Sequence, residues 1–190
     1  MEQKFTVLIQ GPLNNVSLEN IETYKKFGKV VVSHWDVDQK TIEEKFPLVE
    51  KYKNDKDVFF ISNPLADKSN KAGILENSTF YWALVSTYYG FKNCKTEYVI
   101  KTRSDEYYTD LNVIKEKSIE LEGKSIVCGS IFARCPIKYP LHLGDHIFCL
   151  KTKDATSMYK NLLDMYDKRT ELQTWAIQSL MSTEQIVGAA

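Results

Sequence analysis

The chain has 190 residues, of which 43% are hydrophobic and 26% are charged. This length and balance suit one folded domain with a substantial apolar core, so we expect a single domain over residues 1–190. Lys+Arg and Asp+Glu number 25 each. The resulting net charge of zero disfavours a general nucleic-acid binder, because such a protein presents a basic face.

The cysteines and the N-terminus indicate the compartment. Cys128 and Cys149 lie in apolar stretches, no C-x-x-C pair occurs, and no cysteine has zinc-type spacing to a histidine. We therefore expect reduced thiols and a cytoplasmic location. The apolar run at 5–9 is too short for a signal sequence or a membrane span. The chain ends just after a helical pattern, which fits a fragment or a minimal version of a longer protein.

Short apolar runs rich in β-branched residues alternate with helical patterns along the chain. The predicted strands are 5–9, 29–33, 57–62, 97–102, 125–128 and 143–150. The predicted helices are 18–27, 41–53, a long helix from a cap at Asn77 to about residue 89, and a tail from residue 154. Residues 67–76 are predicted to form a polar loop. This alternation predicts an α/β fold with a mostly parallel central sheet covered by helices on both faces.

Polar residues follow the predicted strands, at the ends where such sheets bind ligands. Gln10, Gly11 and Pro12 follow the first strand. In a functional interpretation Gly11 permits close backbone approach and Gln10 contacts a base or ribose, whereas the alternative is a plain turn. Trp35 follows the second strand and either stacks on a base or plugs the sheet end.

The densest cluster of charge is K-T-R-S-D-E-Y-Y-T-D, residues 101–110. Alternate strand residues share a face, so Lys101, Arg103 and Asp105 point the same way. Cations in a buried strand are costly unless they are paired or directed at an anion. Asp105 and Glu106 offer hard oxygen ligands for Mg²⁺ or Mn²⁺, and the cations could neutralise a diphosphate. The alternative is a solvated turn in which Arg103 pairs with Asp105 or Glu106.

A third cluster, H-L-G-D-H at 142–146, precedes the apolar run I-F-C-L. Asp145 is a candidate general base that would face an acceptor hydroxyl. His142 and His146 flank it and give a weak likeness to a metal site. The alternative is an Asp–Gly turn with two incidental histidines.

Taken in order, several segments resemble the WavE-type family, which is named for lipopolysaccharide core synthesis. They are VLIQGPL, VVVSHWD, ENSTFYWALVSTYYGF, YVIKTRSDEYYTDL, LGDHIF and STEQ. Their order matches that of the family along nearly the whole chain, from residue 5 to residue 185. K-T-R-S-D is the most specific block and I-Q-G-P the second. The family is regarded as one of glycosyltransferases with a GT-A-like fold. The resemblance therefore implies a nucleotide-sugar donor, a divalent metal (Mn²⁺ or Mg²⁺) and transfer to a glycan or glycolipid acceptor.

The resemblance also implies roles for individual residues. The residues expected at the nucleotide-sugar are Gln10, Gly11, Pro12, Ser33, Trp35, Asn77, Lys101, Arg103 and Ser104. Asp105 is expected at the metal, and Arg103 and Asp145 are the catalytic candidates. The sequence departs from the D-x-D order that glycosyltransferases of this fold often carry. Glu106 or a more distant acid is then the second metal ligand.

Other functions stay open at this point. A sugar nucleotidyltransferase usually has a Gly-rich loop and a basic residue after the first strand, and Q-G-P-L has neither. A non-catalytic nucleotide- or glycan-binding module differs from an enzyme only in lacking turnover. Neither G-x-G-x-x-G after the first strand nor G-x-x-x-x-G-K-[ST] occurs, which disfavours dinucleotide oxidoreductases and P-loop ATPases.

Overall fold

A computed structural model of the chain describes residues 3–35, 42, 44–63, 79–129 and 146–168. The strands in these ranges are β1 (Phe5–Gln10), β2 (Lys29–His34), β3 (Val58–Ser62), β4 (Tyr98–Arg103), β5 (Val127–Cys128) and β6 (Ile147–Lys151). The helices there are α1 (Asn15–Tyr24), α2 (Thr79–Asn93), α3 (Asn112–Glu120) and α4 (Thr152–Lys168), with a 3₁₀ helix at Pro47–Tyr52. Among the described residues, no helix combines the length and apolar composition that crossing a bilayer requires.

Within the described residues the strands form one six-stranded sheet in the order β3-β2-β1-β4-β6-β5. β1 pairs in parallel with β2 and β4, and β2 pairs in parallel with β3. β6 runs antiparallel to both β4 and β5. The predicted α/β class with a mostly parallel central sheet is confirmed. The carboxyl ends of β1 to β4 and the amino end of β6 meet at one side of the sheet, which we call the carboxyl edge.

Strand side chains alternate between two apolar layers, one on each face of the sheet. The layer that includes α1 contains Val7, Ile9, Val30, Val32, Ile100, Leu18, Ile21 and Tyr24. The layer that includes α2 and α4 contains Leu8, Val31, Val99, Phe148, Leu84, Phe91 and Tyr159. Because both faces are buried, the strands read as nearly continuous apolar runs. By the same alternation, Gln10, Lys101 and Arg103 lie on the α2 face.

Helix α1 begins earlier than predicted because Asn14 caps it. Asn14 Oδ1 accepts a hydrogen bond from the Ser17 backbone N–H at 2.8 Å. Ser17 Oγ in turn accepts from the Asn14 backbone N–H at 3.2 Å. This reciprocal pair is a capping box, and it fixes the start of α1 directly after the turn that follows β1.

The prediction of one helix over 41–53 is wrong in its second half. The described residues Ile42, Glu44 and Lys45 are helical, but Phe46 has a φ of −128° and a 3₁₀ helix follows from Pro47. Proline has no N–H to donate and disfavours the α conformation of the preceding residue, so the α-helix stops there.

Candidate functional site

The turn after β1 and the loop after β4 lie side by side at the carboxyl edge. The Ser104 backbone N–H donates to the Gln10 carbonyl at 2.9 Å, and that of Gly11 donates to the Ser33 carbonyl at 3.2 Å. Gly11 has a φ of +142°, and a Cβ there would lie 2.2 Å from Ser104 Oγ. Only glycine fits at this contact without strain. The structure therefore brings together three of the predicted segments, and Pro12 lies exposed beside them.

Gln10 and Ser33 lie below this edge, at 5% and 0% exposure. Gln10 Nε2 donates to Ser86 Oγ of α2 at 3.0 Å, and Ser33 Oγ donates to the Ser86 carbonyl at 2.6 Å. Asn63, which follows β3, donates from Nδ2 to Ser33 Oγ at 2.9 Å. We call Gln10, Ser33, Asn63 and Ser86 the buried polar layer. Their side chains join α2 to the sheet, and a nucleotide contact by Gln10 or Ser33 stays a prediction.

Trp35 is buried and packs against Trp82 in the first turn of α2. The ring centroids are 6.3 Å apart and the rings are tilted by 42°. Trp35 therefore packs against α2, and stacking on a base stays a prediction. Trp82 was not predicted as a residue of this region, although it lies among several aromatic residues at the start of α2.

Arg103 and Asp105 form a two-pronged ion pair at the carboxyl edge, which we call the fork. Arg103 Nε donates to Asp105 Oδ1 at 2.9 Å, and Nη2 donates to Oδ2 at 2.8 Å. The Arg103 guanidinium holds the pKa of the Asp105 carboxyl below its usual value. The two side chains are 37% and 58% exposed. At such exposure an ion pair contributes about 1 kcal/mol or less, so the fork opens at little cost.

Glu106 lies beside the fork, with its Oε1 4.0 Å from Arg103 Nε, and it has two further partners. Its Oε1 contacts Nδ1 of His146, the residue that precedes β6. Its Oε2 accepts from the Tyr108 hydroxyl at 2.8 Å. Burial, and then the Glu106 carboxylate, raise the pKa of Tyr108. Glu106 therefore shares Arg103 with Asp105 and also contacts His146 and Tyr108, and a metal-binding role for Glu106 stays a prediction.

Helix α1 holds the backbone of this loop. Asn20 Nδ2 donates to the Glu106 carbonyl at 2.9 Å. The Tyr24 hydroxyl donates to the same carbonyl at 3.4 Å and accepts from the Tyr108 backbone N–H at 3.1 Å. These contacts were not predicted from the sequence. The available signal was the spacing of Asn20 and Tyr24, since two residues four apart in a helix lie on the same face and can bond to one loop.

Lys101 lies in β4, two residues before Arg103 on the same face. It is 2% exposed, and its Nζ lies 5.8 Å from the centroid of the Phe148 ring. Ser104, which follows Arg103, is also buried. Two other predicted site residues, Asn77 and Asp145, lie outside the described residues, as does the predicted polar loop at 67–76.

The exposed carboxylate of Asp105 fits a divalent metal in its donor chemistry. Mg²⁺ and Mn²⁺ in nucleotide sites are typically held by one or two carboxylates together with substrate phosphate oxygens. Among the residues that the structure describes, no group of three or more His, Cys, Asp or Glu side chains could hold a metal ion. The fit therefore rests on Asp105 with oxygens from a ligand.

A six-stranded mixed sheet between helical layers, with polar residues at its carboxyl edge, gives the chain a GT-A-like, glycosyltransferase-like fold. The chain is similar to the glycosyltransferase GlyE from Streptococcus pneumoniae TIGR4, with a TM-score of 0.54 and 14% identity over 100% of this chain and 43% of that one. The apo form of GlyE gives a TM-score of 0.50 and 13% identity over 98% and 42%. A more distant likeness is to residues 1–349 of TarS from S. aureus, with a TM-score of 0.43 and 19% identity over 96% and 53%.

At these identities the likeness to GlyE concerns the fold. The chain spans less than half the length of the GlyE structures it matches. No family model matches the chain, and no curated protein matches it.

Proposed function

We propose that the chain is a metal-dependent glycosyltransferase of the WavE-type family that its motifs resemble. It moves a sugar from a nucleotide-diphosphate donor to a glycan or glycolipid acceptor, in the cytoplasm, with Mn²⁺ or Mg²⁺. The observation that carries the proposal is the exposed fork of Arg103 and Asp105 at the carboxyl edge of a glycosyltransferase-like fold. Ligands of such sheets bind beyond these strand ends.

Arg103 is proposed to bind the donor diphosphate. A guanidinium presents paired N–H donors that match the oxygens of a phosphate as well as those of a carboxylate. The Arg103 guanidinium, which donates to Asp105 in this structure, can therefore donate to a phosphate instead. Its fixed positive charge stabilises the negative charge that develops on the leaving diphosphate. Lys101, buried directly beneath on the same face, adds to the positive potential.

Asp105 is proposed to hold the metal through its exposed carboxylate, with Glu106 beside it. When bound, the metal neutralises charge on the diphosphate as a Lewis acid. Helix α1 keeps the loop in place, since Asn20 and Tyr24 bond to the Glu106 carbonyl. Asp145, which precedes His146 in the chain, is proposed as the base that deprotonates the acceptor hydroxyl if the anomeric centre is inverted.

An isosteric pair of substitutions tests the site. Asp105→Asn should abolish metal-dependent hydrolysis of the nucleotide-sugar donor, because the amide lacks the charge that holds the cation. Asp110→Asn is the matched control, since Asp110 is an exposed acid of the same loop that accepts from the Asn112 backbone N–H at 2.8 Å. Both variants should keep the wild-type circular dichroism spectrum. Full donor hydrolysis by Asp105→Asn would contradict the proposal.

A thermal-shift screen of UDP, GDP and CDP, each with and without Mn²⁺, identifies the base. A ligand at one hundred times its Kd stabilises the folded chain by about 2.7 kcal/mol, which is readily seen as a rise in Tm. Donor turnover is then measured with the nucleotide that binds. Binding without turnover would indicate a binding module, and formation of a nucleotide-sugar from a nucleoside triphosphate would indicate a nucleotidyltransferase.

A further inference from the structure

We infer that the amino edge of the sheet is a docking surface for an anionic membrane, on which the chain lies with its carboxyl edge facing away. The amino edge is the side opposite the carboxyl edge, where β1 to β5 begin and β6 ends. The inference rests on the charge and exposure of this side and does not depend on the proposed function.

Six stretches of the chain lie at the amino edge, and the structure describes all of them. They are residues 3–5, 25–29, 53–57, 92–97, 121–126 and 151–154. They contain eleven lysines and five acids, whereas the whole chain has 25 basic and 25 acidic residues. The amino edge therefore has a surplus of six positive charges, and the rest of the chain has an equal surplus of negative charge.

Backbone hydrogen bonds hold neighbouring stretches side by side. The Val30 N–H donates to the Asp57 carbonyl at 2.8 Å, and the Thr152 N–H donates to the Glu97 carbonyl at 3.0 Å. The first residue of β4 donates in the same way to the Lys4 carbonyl at 3.0 Å. The lysines therefore lie on one continuous surface, where their charges act together on a partner.

The dipoles of the helices account for only some of these lysines. Lys26 and Lys92 lie at the ends of α1 and α2, where a cation complements the dipole. Lys153 lies in the first turn of α4, where the same effect disfavours a cation, and Lys4 and Lys56 lie outside the helices. All five side chains are exposed. Helix capping therefore does not explain the surplus of charge, whereas an anionic partner does.

The composition of the amino edge favours a membrane over a nucleic acid. The six stretches contain no arginine, the residue that matches single phosphates with paired donors. Lysines suit the diffuse negative charge of lipid headgroups. Ile119 and Leu121, at the end of α3, are 49% and 41% exposed, and the neighbouring acids Glu120 and Glu122 are each paired with a lysine. Such apolar side chains can enter the headgroup layer, whereas a phosphate backbone offers them no apolar contact.

The carboxyl edge has the opposite charge. Residues 103–110 contain one cation and three acids, so an anionic bilayer repels this side while it attracts the amino edge. The docked chain should therefore lie with its candidate site open to the aqueous phase.

Co-sedimentation with lipid vesicles tests the inference. Wild type should bind vesicles with about 30% phosphatidylglycerol at least about tenfold tighter than vesicles of phosphatidylcholine alone. Raising the salt concentration from about 0.1 M to about 1 M should remove this preference, because the screening length falls from about 10 Å to about 3 Å. On the anionic vesicles, amide exchange should slow at 25–29 and 53–57 and stay unchanged at 103–110.

A triple variant locates the binding surface. Lys26→Gln/Lys56→Gln/Lys153→Gln removes one exposed lysine from each of three stretches of the amino edge. It should bind the anionic vesicles at least about tenfold more weakly than wild type, since each lysine near such a surface adds to the attraction. Its circular dichroism spectrum should stay that of wild type, because substitutions of exposed lysines change stability little.

Lys45→Gln/Lys117→Gln/Lys160→Gln is the matched control. It removes the same charge from exposed lysines outside the six stretches, and should change the affinity for anionic vesicles by less than about threefold. Equal losses in the two triple variants would overturn the inference, because net charge alone would then explain the binding. A wild type without preference for anionic vesicles, or one that binds a DNA duplex more tightly than these vesicles, would also overturn it.

Discussion

Gly11→Ala tests whether the turn after β1 must lie directly against the loop after β4. The φ of +142° is a conformation that side-chain-bearing residues rarely adopt, and holding one there costs about 1–3 kcal/mol. The new Cβ would also lie 2.2 Å from Ser104 Oγ and 3.0 Å from Ser104 Cβ. Overpacking of this kind adds about 1–3 kcal/mol to the loss of stability. The loop cannot move away to relieve it, because the Ser104 backbone N–H is hydrogen-bonded to the Gln10 carbonyl.

We therefore expect Gly11→Ala to lower the free energy of unfolding by about 2–6 kcal/mol. Gly123→Ala is the matched control: its φ is +62°, but its Cβ would meet the Lys151 side chain, which can move. That substitution should cost about 1–2 kcal/mol. The double variant Gly11→Ala/Ser104→Gly removes the steric contact and keeps the backbone strain, so a double-mutant cycle should show a favourable coupling of about 1 kcal/mol or more.

Urea unfolding followed by circular dichroism measures the stability of wild type and of the four variants Gly11→Ala, Ser104→Gly, Gly11→Ala/Ser104→Gly and Gly123→Ala. A Gly11→Ala variant no less stable than Gly123→Ala would refute the reasoning about the close approach. Equal effects of Ser104→Gly in the two backgrounds would show that the clash is absent and that strain alone acts.

Three further outcomes are expected. Tyr24→Phe should lower the free energy of unfolding by about 1–2 kcal/mol and speed amide exchange at Tyr108, whose N–H loses its acceptor at 3.1 Å. Ser86→Ala should cost about 1–3 kcal/mol in urea unfolding, because the buried amide of Gln10 loses its acceptor. Burial raises the pKa of Cys94 to about 12, so at pH 8 only about one thiol in ten thousand is ionised and mass spectrometry should find it unalkylated until the chain unfolds.

The strands could be predicted from the sequence because burial on both faces leaves a strong local signal. β1 contains the apolar run 7–9, β2 the run 30–32 and β4 the run 98–100, and the structure places these strands at the centre of the sheet. Helix α3 was not predicted, since it buries Ser118 and exposes Val113 and Ile119, and so has no clear apolar stripe. A helix held by few buried contacts leaves little pattern to find.

The candidate site could be located but not resolved into partners. Arg103 and Asp105 follow an apolar run, and alternation along a strand predicts that they share a face. Which acid pairs with which base depends on contacts across the fold. The Glu106 carbonyl accepts a hydrogen bond from Asn20, which lies 86 residues earlier in the chain. The Glu106 carboxylate contacts His146, which lies 40 residues later. A pattern confined to a short stretch of sequence does not reveal contacts between residues so far apart in the chain.

The carboxyl edge thus combines two kinds of polar residue, and the difference predicts how substitutions divide. The side chains of the buried polar layer form the hydrogen bonds that join α2 to the sheet. Substitutions there should therefore lower the free energy of unfolding and weaken the binding of every ligand to a similar extent. The fork of Arg103 and Asp105 contributes little to stability because it is exposed. Changes there should alter metal and nucleotide affinities while leaving Tm nearly unchanged. Measuring both Tm and ligand affinity for Ser86→Ala and Asp105→Asn tests this distinction. A large fall in Tm for Asp105→Asn would contradict it, because the fork would then be needed for the stability of the fold.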